Sequence, residues 1–395
     1  MFATSYFKKY SKYQPLIDAP VAPDTQLFIM IPCYKEPDIL QTLNSLKQCD
    51  LPDTTTEVFV IINEPEDCDG FISTFNYQTY AEIQNWIQNH TNNRLRFFSS
   101  PVVKLPQKWA GVGMARKRGM DEGLWRFNQL NKKNGIIVSL DADTLVDKNY
   151  LIAIDQHFRE NPTHAGATIA FSHQLKNLEE KQHKGIQLYE KYLKYYKQAL
   201  TYAGYPNALF TIGSAFTVTA EAYLKRGGMT RRKAGEDFYF LQTLTQVGKV
   251  GEITNTEVHP SARVSDRVPF GTGPAMKHWM ENTADLRYTY NLQAFIDLKK
   301  FFDVHEKLYR ISPDSYQLLI KELPPPIVAF LEEDGFYENM ENLSANCSNP
   351  EVFSSRFFHL FNAFKILKFI NFAHGRFYGK KLLDEVWDKL QEITH

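Results

Sequence analysis

The chain reads as an α/β protein built on a doubly wound, mixed but mostly parallel sheet, with a helical C-terminal extension. Three observations predict this. Apolar runs at Leu27–Pro32, Glu57–Ile62 and Gly135–Leu140 have the continuous hydrophobicity of strands buried on both faces. Between them lie segments with helical spacing, first Ile39, Leu40, Leu43 and Leu46, later Lys108 to about Leu130. The third observation is the alternation itself, because strands joined through helices must pair in parallel.

The remaining elements follow in order. Arg94–Ser99 reads as a strand between the second apolar run and the long helix. Beyond Asp143 the alternation loosens. Ala165–Phe171 and Leu209–Thr219 read as strands around a Lys- and Tyr-rich helix, Leu178–Tyr202, so the sheet becomes mixed there. Tyr189, Tyr192 and Tyr196 share one face of that helix; packing under the sheet is favoured over stacking on sugars. From about Met276 the pattern is helical, and Phe357–Phe372, interrupted by polar residues, reads as a core helix too polar to span a bilayer. The expected organisation is a polar, proline-punctuated lead at 1–26, a site-bearing domain at 27–275 and a helical region at 276–395.

Composition bounds the partners. In 395 residues, 45 Lys and Arg balance 45 Asp and Glu, so no global field draws the protein to nucleic acid, and any anionic ligand must be held locally. Four cysteines without metal-ligand spacing read as reduced thiols with no structural zinc, and Met1–Lys9 lacks a secretory apolar core. The expectation is a cytoplasmic protein, at most in peripheral contact with the inner face of a membrane.

Ligands of doubly wound sheets bind beyond the carboxyl ends of the strands, which brings 32–36, 63–66 and 141–143 to one crevice. Asp141 and Asp143 there are two hard oxygen ligands that suit Mg²⁺ or Mn²⁺ shared with a substrate phosphate; the alternative is a solvated turn. The order Asp141, Asp143, Thr144 also matches a phosphatase nucleophile motif. That motif, however, opens its domain, whereas here more than a hundred residues come first.

Four segments, in order, resemble the family 2 glycosyltransferases, whose nucleotide-sugar-binding GT-A fold is Rossmann-like. Ile31-Pro-Cys-Tyr-Lys-Glu36 is similar to the family's first strand end, with Lys35 where asparagine is usual. Gly111-Val-Gly-Met-Ala-Arg-Lys-Arg-Gly119 resembles its helix start, and Leu140-Asp-Ala-Asp-Thr-Leu-Val-Asp-Lys-Asn-Tyr-Leu151 its metal-binding DXD strand end. Gly213-Ser214, Gly227-Gly228 and Gly235-Glu-Asp237 resemble its acceptor side. The resemblance spans about residues 27–270. It implies metal-dependent hexosyl or hexosaminyl transfer from a nucleotide diphosphate sugar to an acceptor hydroxyl, with inversion, as in polysaccharide biosynthesis.

The residue roles follow from it. Asp237 would be the general base, assisted by Glu236; helix N-terminal charge placement is the alternative for that pair. Pro32, Tyr34, Glu36, Asn63, Lys108, Arg116, Asp141, Arg263 and Arg267 would bind the donor, and Asp141, Asp143 and His259 the Mn²⁺ or Mg²⁺; a solvated basic helix face is the alternative for Lys108 and Arg116, and a structural histidine for His259. The second strand ends in Asn63-Glu64-Pro65 rather than the family's Asp-Asp or Asp-Gly-Ser. Arg263 and Arg267 flank a Gly-Thr-Gly loop that could fold over a diphosphate, with a surface turn and an Asp266–Arg267 pair as the alternative. The acceptor, saccharide, lipid-linked or small molecule, and the oligomeric state are not fixed by the sequence. The rival functions are a metal-dependent phosphotransferase or phosphatase and a catalytically inactive carbohydrate-binding protein.

Overall fold

The structure is a computed structural model, and it describes residues 1–9, 13–232, 234–265, 267–269 and 271–394. The chain divides into two compact units, one made of Met1–Leu178 with Thr211–Pro274 and the other of Glu179–Phe210 with Ala275–His395. Residues 179–210, inside the range 27–275, therefore pack with the C-terminal helices.

The first unit begins with a short helix α1 (Thr4–Lys9), then β1 (Leu27–Cys33), α2 (Ile39–Lys47), β2 (Thr56–Pro65) and α3 (Gly70–His90). Next come β3 (Leu95–Ser99), β4 (Val103–Leu105), α4 (Val112–Gln129), β5 (Ile136–Ser139), β6 (Leu145–Val146), α5 (Tyr150–Glu160) and β7 (Gly166–Phe171). After α6 (Glu180–Tyr202), which belongs to the second unit, the first resumes with β8 (Phe216–Thr219), α7 (Ala220–Arg226), α8 (Glu236–Leu244) and β9 (Val250–His259).

Among the described residues the sheet order is β3-β2-β1-β5-β8-β7-β9-β6, with β4 also on β2. The ladders β1·β2, β1·β5, β2·β3, β2·β4 and β7·β9 are parallel; β5·β8, β7·β8 and β6·β9 are antiparallel. The expected mixed, mostly parallel sheet is therefore present. β1 and β5 are buried along their whole length, which is why their sequences are apolar but for Ser139. The chain runs outward from β1 to β2 and β3, then returns to the other side of β1 as β5. That reversal opens a crevice between the carboxyl ends of β1 and β5.

Several expectations need correction. The lead is not merely polar: Ala3, Tyr6, Phe7 and Ile17 join the hydrophobic core of the first unit. Lys108 precedes α4, because Trp109 and Ala110 both donate to the Pro106 carbonyl in a turn. The strand expected at Leu209–Thr219 shortens to β8, since at Gly213 the backbone leaves the ladder and turns its carbonyl to side chains.

In the second unit, α6 is followed by helices from α9 (Thr272–Met280) to α16 (Leu383–Thr394). Phe357–Phe372 is two helices rather than one, Pro350–Leu360 and Ala363–Arg376. Asn362 caps the second by accepting from the Phe364 and Lys365 amides. Tyr189, Tyr192 and Tyr196 pack on one another, and Tyr196 on Tyr290 and Phe295, within this helical unit. No described helix is long and apolar enough to cross a membrane.

Candidate active site

The polar residues at the strand ends form two carboxylate–guanidinium clusters. The first is centred on Arg116, on the second turn of α4, whose side chain is only 3% exposed. Its Nη2 donates to Asp141 Oδ1 at 3.0 Å and its Nε to Glu236 Oε1 at 3.1 Å. Nη1 donates to the Gly213 carbonyl at 2.8 Å and to Ser139 Oγ. A buried charge persists only when paired and hydrogen-bonded, and Arg116 meets both conditions. A Cβ at residue 213 would lie 2.5 Å from Arg116 Nη2, so only glycine lets the backbone come this close.

Asp237 stands beside this cluster at the start of α8, with Oδ1 accepting its neighbour's amide, Phe238 N, at 2.7 Å. Burial first and the Glu236 charge second push its carboxyl up, and Arg116 only partly offsets them.

The second cluster joins β1 to the segment after β9. Glu36 is buried at 2% exposure. Arg263 binds it with both terminal nitrogens, and Arg267 Nη1 lies 3.2 Å from Oε2. Arg263 Nη2 also reaches Asp143 Oδ2 at 2.9 Å and Nη1 approaches Asp38 at 3.5 Å, while Arg267 lies 3.6 Å from Asp143 and donates to the Tyr34 carbonyl. Burial works to raise the Glu36 carboxyl, but Arg263 outweighs it and holds it below its usual range. The reverse holds at Asp143, where burial and then the Glu36 charge win over Arg263 and push the carboxyl up to about 6. Asp266 and its expected pair with Arg267 lie outside the described residues.

The other expected donor residues are not part of these clusters. Pro32 and Asn63 are buried within β1 and β2. Glu64 is spent on Ser73 Oγ at 3.0 Å and Asn76 Nδ2 at 3.1 Å. Asn76 in turn accepts from the Lys35 amide, holding Lys35 at φ 48°, a left-handed conformation that an asparagine adopts more readily than a lysine. Lys108 sits over the Trp109 ring, 5.7 Å from its centroid. His259 lies on the Asp147 side of the DXD turn: Nε2 is 2.9 Å from Asp147 Oδ1 and Nδ1 is 3.0 Å from Ser172 Oγ.

Among the described residues no group of three or more His, Cys, Asp or Glu side chains is disposed to hold a metal ion. A magnesium-type cation needs fewer protein ligands than that, one or two carboxylates with the rest from substrate and water. Asp141 Oδ2 and Asp143 Oδ1 have no described hydrogen bond, and both side chains are partly exposed. Two hard oxygens directed to neither arginine fit that requirement. Beside Asp143 an open cleft of about 130 Å³ is lined by Asp38, Gln41, Gln174 and Ser261.

Sequence reasoning missed Ser139, Asp38, Gln174 and Asp147. Gln174 Nε2 ties the Asp143 carbonyl, at 2.9 Å, to the His259 carbonyl, at 2.7 Å, and so fixes the DXD turn against β9. Ser139 carried a readable signal, a hydroxyl inside an apolar strand; Gln174 carried none.

No protein-family profile matches the chain, and no curated protein does either. Among solved structures it is similar to S. aureus TarS 1–349 in complex with UDP-GlcNAc, at 13% identity over 88% of this chain and 90% of that one, with a TM-score of 0.42. It is also similar to the mannosyltransferase PcManGT from Pyrobaculum calidifontis in complex with GDP-Man and Mn²⁺, at 14% identity over 92% and 94%, with a TM-score of 0.38. At these scores the likeness carries no conclusion about activity.

Proposed function

We propose that the chain is a glycosyltransferase of the family 2 type that moves a sugar, with inversion, from a nucleotide diphosphate sugar to an acceptor hydroxyl. One observation carries the reading. Arg116 binds Asp141 and Glu236 together, so the strand-end carboxylates and the acidic pair opening α8 belong to one site although 95 residues separate them (141 to 236). A solvated turn after β5 and a charged helix start would have no reason to share a buried cation.

In this reading Asp237 removes the proton of the acceptor hydroxyl as the bond to the anomeric carbon forms. Its raised affinity for protons suits it to that task near neutral pH. Glu236, held by Arg116, keeps the pair in place. Arg263 and Arg267 serve the donor diphosphate when it displaces them from Glu36 and Asp143. Asp141 and Asp143 would hold Mn²⁺ or Mg²⁺, which supplies Lewis-acid neutralisation of the departing diphosphate.

The experiment is a panel of nucleotide sugars with Mn²⁺, read as donor hydrolysis and as thermal stabilisation. A true donor at a hundred times its Kd stabilises the folded state by about 2.7 kcal/mol. A panel in which no nucleotide sugar is hydrolysed or stabilises the protein overturns the proposal.

A further inference from the structure

Six basic side chains in and around the candidate site fall into two classes. Arg116, Arg263 and Arg267 are committed to carboxylates. Lys108, Arg231 and Arg232 are exposed and pair with no described carboxylate. All three rest instead on aromatic faces. Arg231 lies 4.8 Å and Lys108 5.7 Å from the centroid of Trp109, and Arg232 lies 3.6 Å from that of Tyr239.

This patch is anchored beside the acidic pair. A Cβ at residue 113, in the first turn of α4, would lie 2.0 Å from the Arg232 carbonyl oxygen and 3.2 Å from Glu236 Cβ. Glycine at 113 thus seats the Arg232 backbone against α4 next to Glu236, and Asp237 is the following residue.

Chemistry selects the ligand class. An aromatic face already covered by a guanidinium is not open for stacking on a neutral sugar. A guanidinium held over a ring, with no carboxylate partner, keeps N–H groups free, and their fork matches a phosphate or carboxylate. We infer that Arg231, Arg232 and Lys108 around Trp109 bind the acceptor, and that this acceptor is an anionic saccharide carrying a phosphate or carboxylate near its accepting hydroxyl. The inference rests on the proposed glycosyl transfer only for the word acceptor; the anion site stands or falls by itself.

The test uses Trp109 as reporter. Intrinsic fluorescence of the full chain is titrated with glucose 6-phosphate, glucuronate, glucose and inorganic phosphate, and Trp109→Phe identifies the signal. Half-saturation by a charged sugar is expected at least about tenfold below that of glucose, with the difference shrinking as salt screens the contact. Response to glucose 6-phosphate alone assigns phosphate, and response to glucuronate extends the site to carboxylates. The double variant Arg231→Gln/Arg232→Gln, checked to be folded by its thermal transition, is expected to erase the preference. Equal binding of glucose and its 6-phosphate, unaltered preference in the double variant, or inorganic phosphate binding as tightly as the sugar phosphate would overturn the inference. Failure of the functional reading looks different: no nucleotide sugar is turned over, while the fluorescence preference persists.

Discussion

Asp141 and Asp143 are one residue apart, yet the protein compensates them in opposite ways. Arg116 reaches Asp141 from inside a helix, is 3% exposed, and is locked by the Ser139 hydroxyl and the Gly213 carbonyl as well as two carboxylates. Arg263 and Arg267 reach Asp143 from an irregular segment, are 28% and 31% exposed, and share their contacts with Glu36. In the first arrangement the guanidinium is part of the core, and only Asp141, 33% exposed, is reached by water. The second is reached by water, and another cation or an anion competing for the arginines can replace it. In a site that must admit and release a charged ligand, the fixed cluster positions and the exposed one exchanges.

The sharpest way to break this contrast is Arg116→Met. It leaves the buried Glu236 without its cation, while Asp141, 33% exposed, can turn to water, and removing one partner of a buried pair costs about 3–5 kcal/mol. A fall of that size in denaturant stability is expected, and Arg116→Lys should recover only part of it, because an ammonium cannot span both carboxylates and the Gly213 carbonyl. A loss under 1 kcal/mol, as for an exposed pair, would erase the distinction between the clusters.

Next in size is Asp237→Asn, which keeps the shape of the side chain and removes its basicity. Transfer to acceptor is expected to fall at least about a hundredfold in kcat, with the thermal shift by donor retained. Equal loss of donor binding would place Asp237 in the donor pocket instead.

The two clusters were unequally legible in the sequence. Asp141, Asp143, Glu236 and Asp237 stand out because acidic residues directly after an apolar strand, or opening an apolar helix, are hard to explain by packing. The central strands were legible for a related reason: burial on both faces gives β1, β2 and β5 continuous apolar runs at Leu27–Ile31, Val58–Ile62 and Ile136–Val138. β6 and β9 were not seen, since β6 is two residues long and the in–out alternation of β9 breaks between Ile253 and Thr256, where its register with β7 shifts. α3 escaped as well, because half of its four buried residues, Asn76 and Thr79, are polar. Which arginine meets which carboxylate could not be read at all, for Arg116 and Arg263 are brought to their partners by sheet order and not by spacing.

The raised Asp143 carboxyl gives a third, smaller effect. Its pKa is about 6 in the folded state against 3.8 ordinarily, so between those values the folded protein binds more protons than the unfolded chain. Stability from this group is complete below about pH 4 and is lost as pH rises through 6. A decline on the order of 2 kcal/mol is expected across that window in metal-free buffer, and Asp143→Asn should flatten it. A stability curve that rises over the same range in the wild type and not in the variant would reverse the assignment.

The last test removes the half-exposed arginines. In Arg263→Met/Arg267→Met the buried Glu36 keeps the Asp38 amide, 3.1 Å from Oε1, and water can enter where the guanidiniums stood, so the loss is expected to stay below that of Arg116→Met. The informative readout is the pH window. Both arginines lower the Asp143 pKa, so without them the carboxyl holds its proton to still higher pH, and the decline should end above 6. Arg116→Met should move that endpoint far less, because Arg116 bonds to Asp141 and not to Asp143. If both variants shift it alike, the carboxylates titrate as a single unit, and the division into a fixed and an exchangeable cluster fails.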